Sequence, residues 1–188
     1  MAKEKKDRCP WCLRDELYMN YHDKEWGRPS YDEKHLFEML VLESFQAGLS
    51  WYTILAKREN FRKAFAGFDV KKVAAFKEKD VERLMQDAGI IRNRAKILAT
   101  INNARVFMAV QEEFGKFSNY LWQFTDYKVI DNKPTDPKKI PSTTKESDEM
   151  SRDMKKRGFK FMGSTVCYAN MQSVGMVNDH LMTCPARK

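Results

Sequence analysis

No apolar run in this chain approaches eighteen residues, so no membrane-crossing helix is written into it. Its opening, Met1-Ala2-Lys3-Glu4-Lys5-Lys6-Asp7-Arg8, has none of the apolar core of a secretory leader, and a cytoplasmic location is the expectation. Strand-like alternation is missing as well: no stretch sustains a period of two between turn residues, which argues against a sheet. Glycine (8) and proline (6) are sparse, and neither a repeat nor a low-complexity tract is present. The 4 cysteines, without a leader, argue for reduced thiols or metal ligands, not a disulfide framework.

What remains is a globular composition. The 188 residues are 43% hydrophobic and 12% aromatic, enough for one compact domain with a real core. A formal net charge of +8 is compatible with a polyanionic partner. The basic clusters are Arg92-Asn93-Arg94 with Lys96, and Lys155-Lys156-Arg157 with Lys160, each beside an expected helix end. Periodicity predicts helices near 14–20, 33–46, 50–65, 70–76, 80–87, 92–113, 117–125, 147–157 and 164–174, with a short one from 177. Gly67, Gly89, Gly115, Gly158, Gly163 and Gly175 read as stops, and Asp69 as an N-cap. Lys128 to Thr144, with three prolines, reads as a loop that ties helical lobes together.

Glu43 stands out in the helix over 33–46, for which Ser30 and Glu33 suggest a capping box. At about 100° per residue Leu36, Met39 and Leu40 share a face with Glu43, while Glu38 points nearly opposite, as a surface acid would. A carboxylate on an apolar face needs a specific partner. The segment that follows, Gln46-Ala47-Gly48-Leu49-Ser50-Trp51, breaks the helix and ends on an indole. An acid beside a large aromatic suits a pocket for a cationic ring. The plainer alternative is a half-buried glutamate satisfied by a backbone amide or an arginine.

Of 3 histidines, His180 lies four residues before Cys184, placing both on one side of a helical turn, and His22 lies near Cys9 at the other end. Two His and two Cys make a closed tetrahedral set of the structural zinc type, which would fasten one end of the chain to the other. Cys9-Pro10-Trp11-Cys12 also offers a CxxC, either as an alternative thiolate pair or as a redox pair. His35 reads as exposed and Cys167 as a buried apolar thiol.

Leu84 to Lys96 places Gly89 in a tight turn between two helices, with Ala95 at a second small position. That spacing fits a helix-hairpin-helix whose turn amides, with Arg92, Arg94 and Lys96, would hold a DNA phosphate without reading sequence. An ordinary helical hairpin is the other reading, since Ile91 replaces the usual second glycine.

Taken together, Tyr21-His22-Asp23-Lys24-Glu25-Trp26-Gly27, Leu42-Glu43, Gln46 to Trp51, Asp87 to Arg92, Lys156 to Phe161 and Val177-Asn178-Asp179-His180 resemble the 3-methyladenine DNA glycosylase I family, in order, over about residues 8–184. The resemblance implies an all-α, helix-hairpin-helix glycosylase fold in one domain. A terminal lobe of about 1–35 and 125–188 would be clamped by zinc, against a hairpin lobe of about 36–124. It implies one structural zinc on Cys9, His22, His180 and Cys184, leaving Cys12 a bystander. Glu43 would be the base-contacting acid and Tyr21 and Trp51 the stacking rings, with Trp11, Tyr18 and Trp26 around them. Gln46, Gly48 and Leu49 would press into DNA where the nucleotide leaves the stack, and Gly89, Arg92, Arg94 and Lys96 would meet the backbone.

The implied activity is monofunctional N-glycosidic hydrolysis of alkylated double-stranded DNA, by a monomer, releasing free 3-methyladenine. Ser44-Phe45 departs from the smaller or more polar residues often found after the acid. The aspartate that superfamily relatives carry beyond the hairpin has no counterpart, as in this family. A non-catalytic, zinc-stabilised nucleic-acid-binding module is the rival expectation, as is a zinc hydrolase, although a filled ligand set denies the latter an open position.

Overall fold

A computed structural model describes residues 7–187; the charged Met1–Lys6 and Lys188 lie outside them. Ten helices carry the described residues: α1 Glu16–Lys24, α2 Glu33–Gln46, α3 Trp51–Leu55, α4 Arg58–Ala64, α5 Val70–Ala74, α6 Glu78–Gln86, α7 Arg94–Phe114, α8 Phe117–Trp122, α9 Lys145–Arg157 and α10 Ser164–Ser173. Short 3-10 turns fill several of the connections.

The spine is α2, in which every residue from Leu36 to Phe45 is buried. Neighbouring helices surround it on all sides, which is why its apolar residues cover more than one stripe. Its start is capped by Asp32, whose side chain accepts from His35 N at 2.7 Å, and not by the expected Ser30–Glu33 box. Glu33 instead reaches across to α8 and accepts from the backbone of Phe117 (2.7 Å) and Ser118 (2.9 Å). It thus satisfies free amides at the head of another helix. Asp69 caps α5 as expected, whereas Gly163 opens α10 and does not stop a helix.

Two expectations fail at the far end of the chain. The segment from 177 is not helical: Val177–Asn178 forms a two-residue strand, β2, paired in parallel with β1, Ile130–Asp131. Pairings this short leave no alternation for sequence to reveal. Asp179, fully buried, holds the segment in place by accepting from Tyr168 Oη (2.6 Å), Gln172 Nε2 (2.7 Å) and Asn132 Nδ2 (2.8 Å). At Gly175 the backbone has φ 73°, and an added Cβ would fall 2.0 Å from the carbonyl carbon of Arg28. Only glycine allows the 28–29 segment to cross there.

Glu38 is not the surface acid that helical phase suggests. It is 4% exposed, and its carboxylate receives Arg58 Nε at 2.8 Å and Arg62 Nε at 2.7 Å. Arg58 also donates to Glu25 at 2.8–2.9 Å. Burial opposes ionisation of Glu38, but the hydrogen bonds from the two arginines outweigh it and hold the carboxyl below its usual range. Removing one partner of a buried pair leaves an uncompensated charge, so Arg58→Met is expected to cost about 2–4 kcal/mol. Thermal melting checks this, with partial recovery expected on adding Glu38→Gln. His35 likewise departs from its expected exposure: it is half-buried, and desolvation lowers its pKa.

Candidate active site and metal-ligating cluster

After the apolar run Met39–Leu42 of α2, Glu43 lies in the last turn of the helix with only 3% of its surface exposed. No guanidinium reaches it. Its Oε2 has no hydrogen-bond partner, and the indole Nε1 of Trp51 is equally unpartnered. Burial alone pushes the Glu43 carboxyl up to about 8. Glu38 and Glu43, both buried in α2, therefore present opposite cases: one fully satisfied within the protein, the other left for something else.

Glu43 lines a cavity of about 490 Å³ together with Trp11, Tyr18, Tyr21, Trp26, Gln46, Trp51, Pro137, Ile140, Ala169 and Gln172. That volume is right for a purine-sized ligand. Trp11 meets Tyr18 at 4.9 Å and Trp26 at 5.0 Å, both edge-on, forming one aromatic wall. Tyr21 and Trp51 stand 5.2 Å apart with their planes at 50°. These two rings make a corner and not a slot, so a base would lie flat on one and meet the other at an angle. Burial and the neighbouring Glu43 keep the Tyr21 phenol protonated, and therefore a donor.

The segment between α2 and α3 forms a tight projection. Leu49 N donates to Gln46 O at 2.6 Å, and Ser50 caps α3, leaving Gly48 and Leu49 at the exposed tip. Lys96 sets this projection in place, and here the structure overturns the expectation that it meets a phosphate. It is buried, and its Nζ donates to Phe45 O (2.8 Å) and Ala47 O (2.6 Å) at the frayed end of α2. A cation there satisfies carbonyls that the helix cannot. The hairpin helix is thereby fastened to the projection beside Glu43.

The hairpin itself runs from α6 through the turn at 87–93 into α7, which Asn93 caps. Gly89 O accepts from Lys57 Nζ and Asn60 Nδ2, both at 3.3 Å, so the turn is braced from α4 and its approach. Arg94 pairs with Glu78 and Glu82 and is committed to them, while Arg92 is exposed. Arg157, in the second basic cluster, is held by Glu113 (2.6 Å) and Asp153 (2.7 Å).

At the chain ends, Cys9, His22 and Cys184 bring their ligand atoms within 4.8 Å of one another, all three buried. Cys184 Sγ lies 3.7 Å from His22 Nε2, and His22 Nδ1 faces Asp23 Oδ1 at 2.7 Å. A carboxylate on Nδ1 presents the lone pair of Nε2 to the thiols, the outer-sphere arrangement of metal-ligating histidines. Leu181 N donates to Cys9 Sγ at 3.5 Å, as backbone amides do to thiolates. Burial keeps both imidazoles neutral, His180 down to about 4. The residues present fit a structural divalent metal.

His180 is adjacent but not in that group. Its ring is 4.7 Å from that of His22, yet Nδ1 faces Asn178 Oδ1 (3.1 Å) and Nε2 faces His22 O (3.2 Å). Residues 180–184 form a non-helical turn, so the helical projection expected for His180 and Cys184 does not apply. Gly27 allows the ring its place, since a Cβ there would come within 2.9 Å of His180 Nδ1. Cys12 turns aside to Cys9 O at 3.1 Å, and Cys167 is buried as expected.

Sequence reasoning missed Pro137, Ile140, Ala169 and Gln172 in the cavity wall. The long proline-bearing segment was the available signal for the first two, because irregular segments of that length are often functional. Ala169 and Gln172 share a face of α10 and carry no such mark.

Comparison with known proteins agrees with this geometry. A family model described as methyladenine glycosylase matches residues 11–188. DNA-3-methyladenine glycosylase 1 of Escherichia coli strain K12 is 51% identical over 178 residues, 95% of each chain. DNA-3-methyladenine glycosylase of Haemophilus influenzae is 47% identical over 180 residues, 96% of this chain and 97% of that one. A crystal structure of a 3-methyladenine DNA glycosylase I in complex with 3-methyladenine superposes with a TM-score of 0.93 at 36% identity, covering 96% of this chain and 97% of the other. With that match running over nearly its whole length, the chain belongs to the methyladenine glycosylase family.

Proposed function

We propose that this protein is a base-excision repair enzyme that takes 3-methyladenine out of alkylated DNA and hydrolyses its N-glycosidic bond, leaving an abasic site. The observation that carries this reading is the unpartnered Glu43 carboxylate inside an aromatic cavity of purine size. Adenine methylated at N3 within DNA is cationic, so its glycosidic bond is already weak and the base leaves as a neutral purine. The protein's task is then to extrude and select, since unstacking takes a few kcal/mol and damaged bases resist it least.

Each pocket residue has a distinct part in that task. The faces of Tyr21 and Trp51 attract the cationic ring, a contact worth about 0.5–2 kcal/mol depending on desolvation. Trp11, Tyr18 and Trp26 exclude water and so strengthen every polar contact inside. Glu43 accepts from the exocyclic amine, and its charge matches that of the ring. An unmodified adenine brings no counter-charge, so Glu43 can ionise beside it only at its full desolvation cost, and the neutral base gains none of the charge pairing that holds the cation. A non-catalytic nucleic-acid-binding module would have no use for a buried orphan carboxylate.

On the DNA side, the hairpin turn at Gly89 and the free Arg92 would meet the phosphate backbone, with Arg94 contributing field more than contact because of its two acids. Gln46, Gly48 and Leu49 would enter the stack, with Leu49, 40% exposed, as the wedge. Leu49→Ala is expected to slow excision from duplex DNA about tenfold and to change excision from single strands much less. Equal losses on both substrates would remove the wedge role.

For the chain ends we infer one structural zinc on Cys9, His22 and Cys184, with a rotation of the His180 imidazole completing the set. When bound, the ion would crosslink the two ends of the chain; the reaction itself is carried by the residues of the cavity. The terminal segments and the hairpin region then act as two lobes with the base pocket between them. The direct test of function is chromatographic detection of free 3-methyladenine released from methylated duplex DNA. A protein that binds such DNA and releases no base would contradict the proposal.

A further inference from the structure

Glu43 borders a second cavity as well as the aromatic one. It is about 170 Å³ and lies under the 46–49 projection, lined by Glu43, Gln46, Leu49, Thr165, Val166 and Ala169. Glu43, Gln46 and Ala169 belong to both cavities, so the two are neighbours across a shared wall. Glu43, the half-buried Gln46 and the exposed Thr165 put three polar side chains on the border of this space. Glu43 Oε2 has no partner, and neither the Gln46 carboxamide nor the Thr165 hydroxyl makes a hydrogen bond among the described residues. Thr165 stands in the first turn of α10, where its position is fixed by a helix whose later residues are buried.

Base excision needs room for more than the base. The sugar is one bond away from the purine, so its place must adjoin the base pocket. The attacking water must approach C1′ from the side that the departing base does not occupy. A cavity that carries three polar side chains on a mostly apolar wall and shares Glu43 with the base pocket, directly beneath the wedge where the strand would enter, meets both requirements. Its volume suffices for a water and part of a furanose ring.

We propose that this second cavity is the sugar-and-water subsite, in which the deoxyribose of the extruded nucleotide is seated and Thr165 Oγ1 holds the water that attacks C1′. The inference rests on the reading that the aromatic cavity takes the base. The C1′–N9 bond breaks and its electron pair passes into the purine, cancelling the positive charge of the methylated ring. The water oxygen bonds to C1′, and its surplus proton passes to the Glu43 carboxylate, which is ionised while the cation lies beside it. The products are neutral 3-methyladenine and an abasic deoxyribose. Thr165 is on this account a water-positioning residue.

The test is single-turnover excision from a duplex containing 3-methyladenine by the unsubstituted protein, Thr165→Val and Thr165→Ser, with duplex affinity and free 3-methyladenine affinity measured beside it. Thr165→Val keeps the shape and removes the hydroxyl. It is expected to lower the rate about 10²-fold at unchanged affinities, and Thr165→Ser to restore it to within about threefold. In mixed water and methanol, the valine variant is also expected to yield more of the methyl glycoside, because the water is no longer favoured. An unchanged rate for Thr165→Val overturns the subsite and leaves the base pocket standing. A loss of rate accompanied by an equal loss of free-base affinity also overturns it, since Thr165 would then only support the wall. No excision by the unsubstituted protein overturns the base pocket and the subsite together.

Discussion

At pH 8, Glu43→Gln is expected to melt roughly 4–10 °C above the unsubstituted protein, although it removes a residue central to function. In the folded chain burial lifts the Glu43 carboxyl to about 8, while in the unfolded chain it titrates near its ordinary value of about 4.3. Between these two values the folded state keeps a proton that the unfolded state has released. Stability therefore falls as pH rises through this window and is highest, as far as this group is concerned, below about pH 4. Glutamine carries no such penalty. The gain is about 1–3 kcal/mol near pH 8, which a domain of this length converts to a few degrees per kcal/mol.

The shape of the effect is more informative than its size. The difference in melting temperature between the two proteins should grow from pH 5 to pH 8. No basic side chain is near enough to supply an alternative cause: burial is the only cause behind the Glu43 shift, and Tyr18 and Tyr21 are the titratable groups that sense its charge. A pH-independent difference would mean that Glu43 is already compensated in the free protein. An occupied pocket changes the balance, because a cationic base supplies the missing counter-charge. The penalty borne by the empty protein is thus the source of its selectivity.

The second large effect concerns the chain ends. On the proposed zinc site, Cys184→Ser is expected to eliminate metal binding and to lower the melting temperature by 10 °C or more, while leaving base excision per folded molecule within about threefold at low temperature. Cys9 and Cys184 lie 175 positions apart in sequence. A clamp closing so long a loop removes about 5 kcal/mol of unfolded-state entropy in the chain-entropy account. In addition, the buried cluster of Cys9, His22 and Cys184 would lose the metal bonds that the proposed site sets against its desolvation. Metal analysis and melting curves with and without a chelator check both parts. Chelation that abolished excision while the melting curve stayed unchanged would place the metal in the chemistry.

Most of the helical frame could be read from the sequence, because its stops and caps are local. The glycines ending α7 and α9 and the Asp69 cap act within one turn of chain, and the boundaries they mark are found where expected. Local signals mislead where distant groups decide. Glu38 was placed outside by helical phase, yet two arginines from α4 make burial tolerable. Lys96 sits in a basic run, yet two carbonyls at the end of α2, about fifty residues earlier, claim it. The Val177–Asn178 pairing is too short to leave a pattern.

The candidate site divides along the same line. Glu43 was identifiable because an acid on an apolar helical face is a local contradiction, and the structure keeps it without a protein partner. The aromatic wall came from family resemblance, since single tryptophans carry no positional signal. Thr165 could not be found in advance: an ordinary threonine at the start of a helix becomes notable only when a cavity opens against it.

The central claim is that an uncompensated carboxylate in an aromatic cavity admits a charged, methylated purine and refuses a neutral one. Single-turnover release of 3-methyladenine from duplex DNA by the unsubstituted protein and by Glu43→Gln tests it most directly, with duplex affinity measured in parallel. A fall of about 10²-fold or more in the variant, at duplex affinity changed by less than about threefold, is the predicted result. Release by the variant at the unsubstituted rate would contradict it.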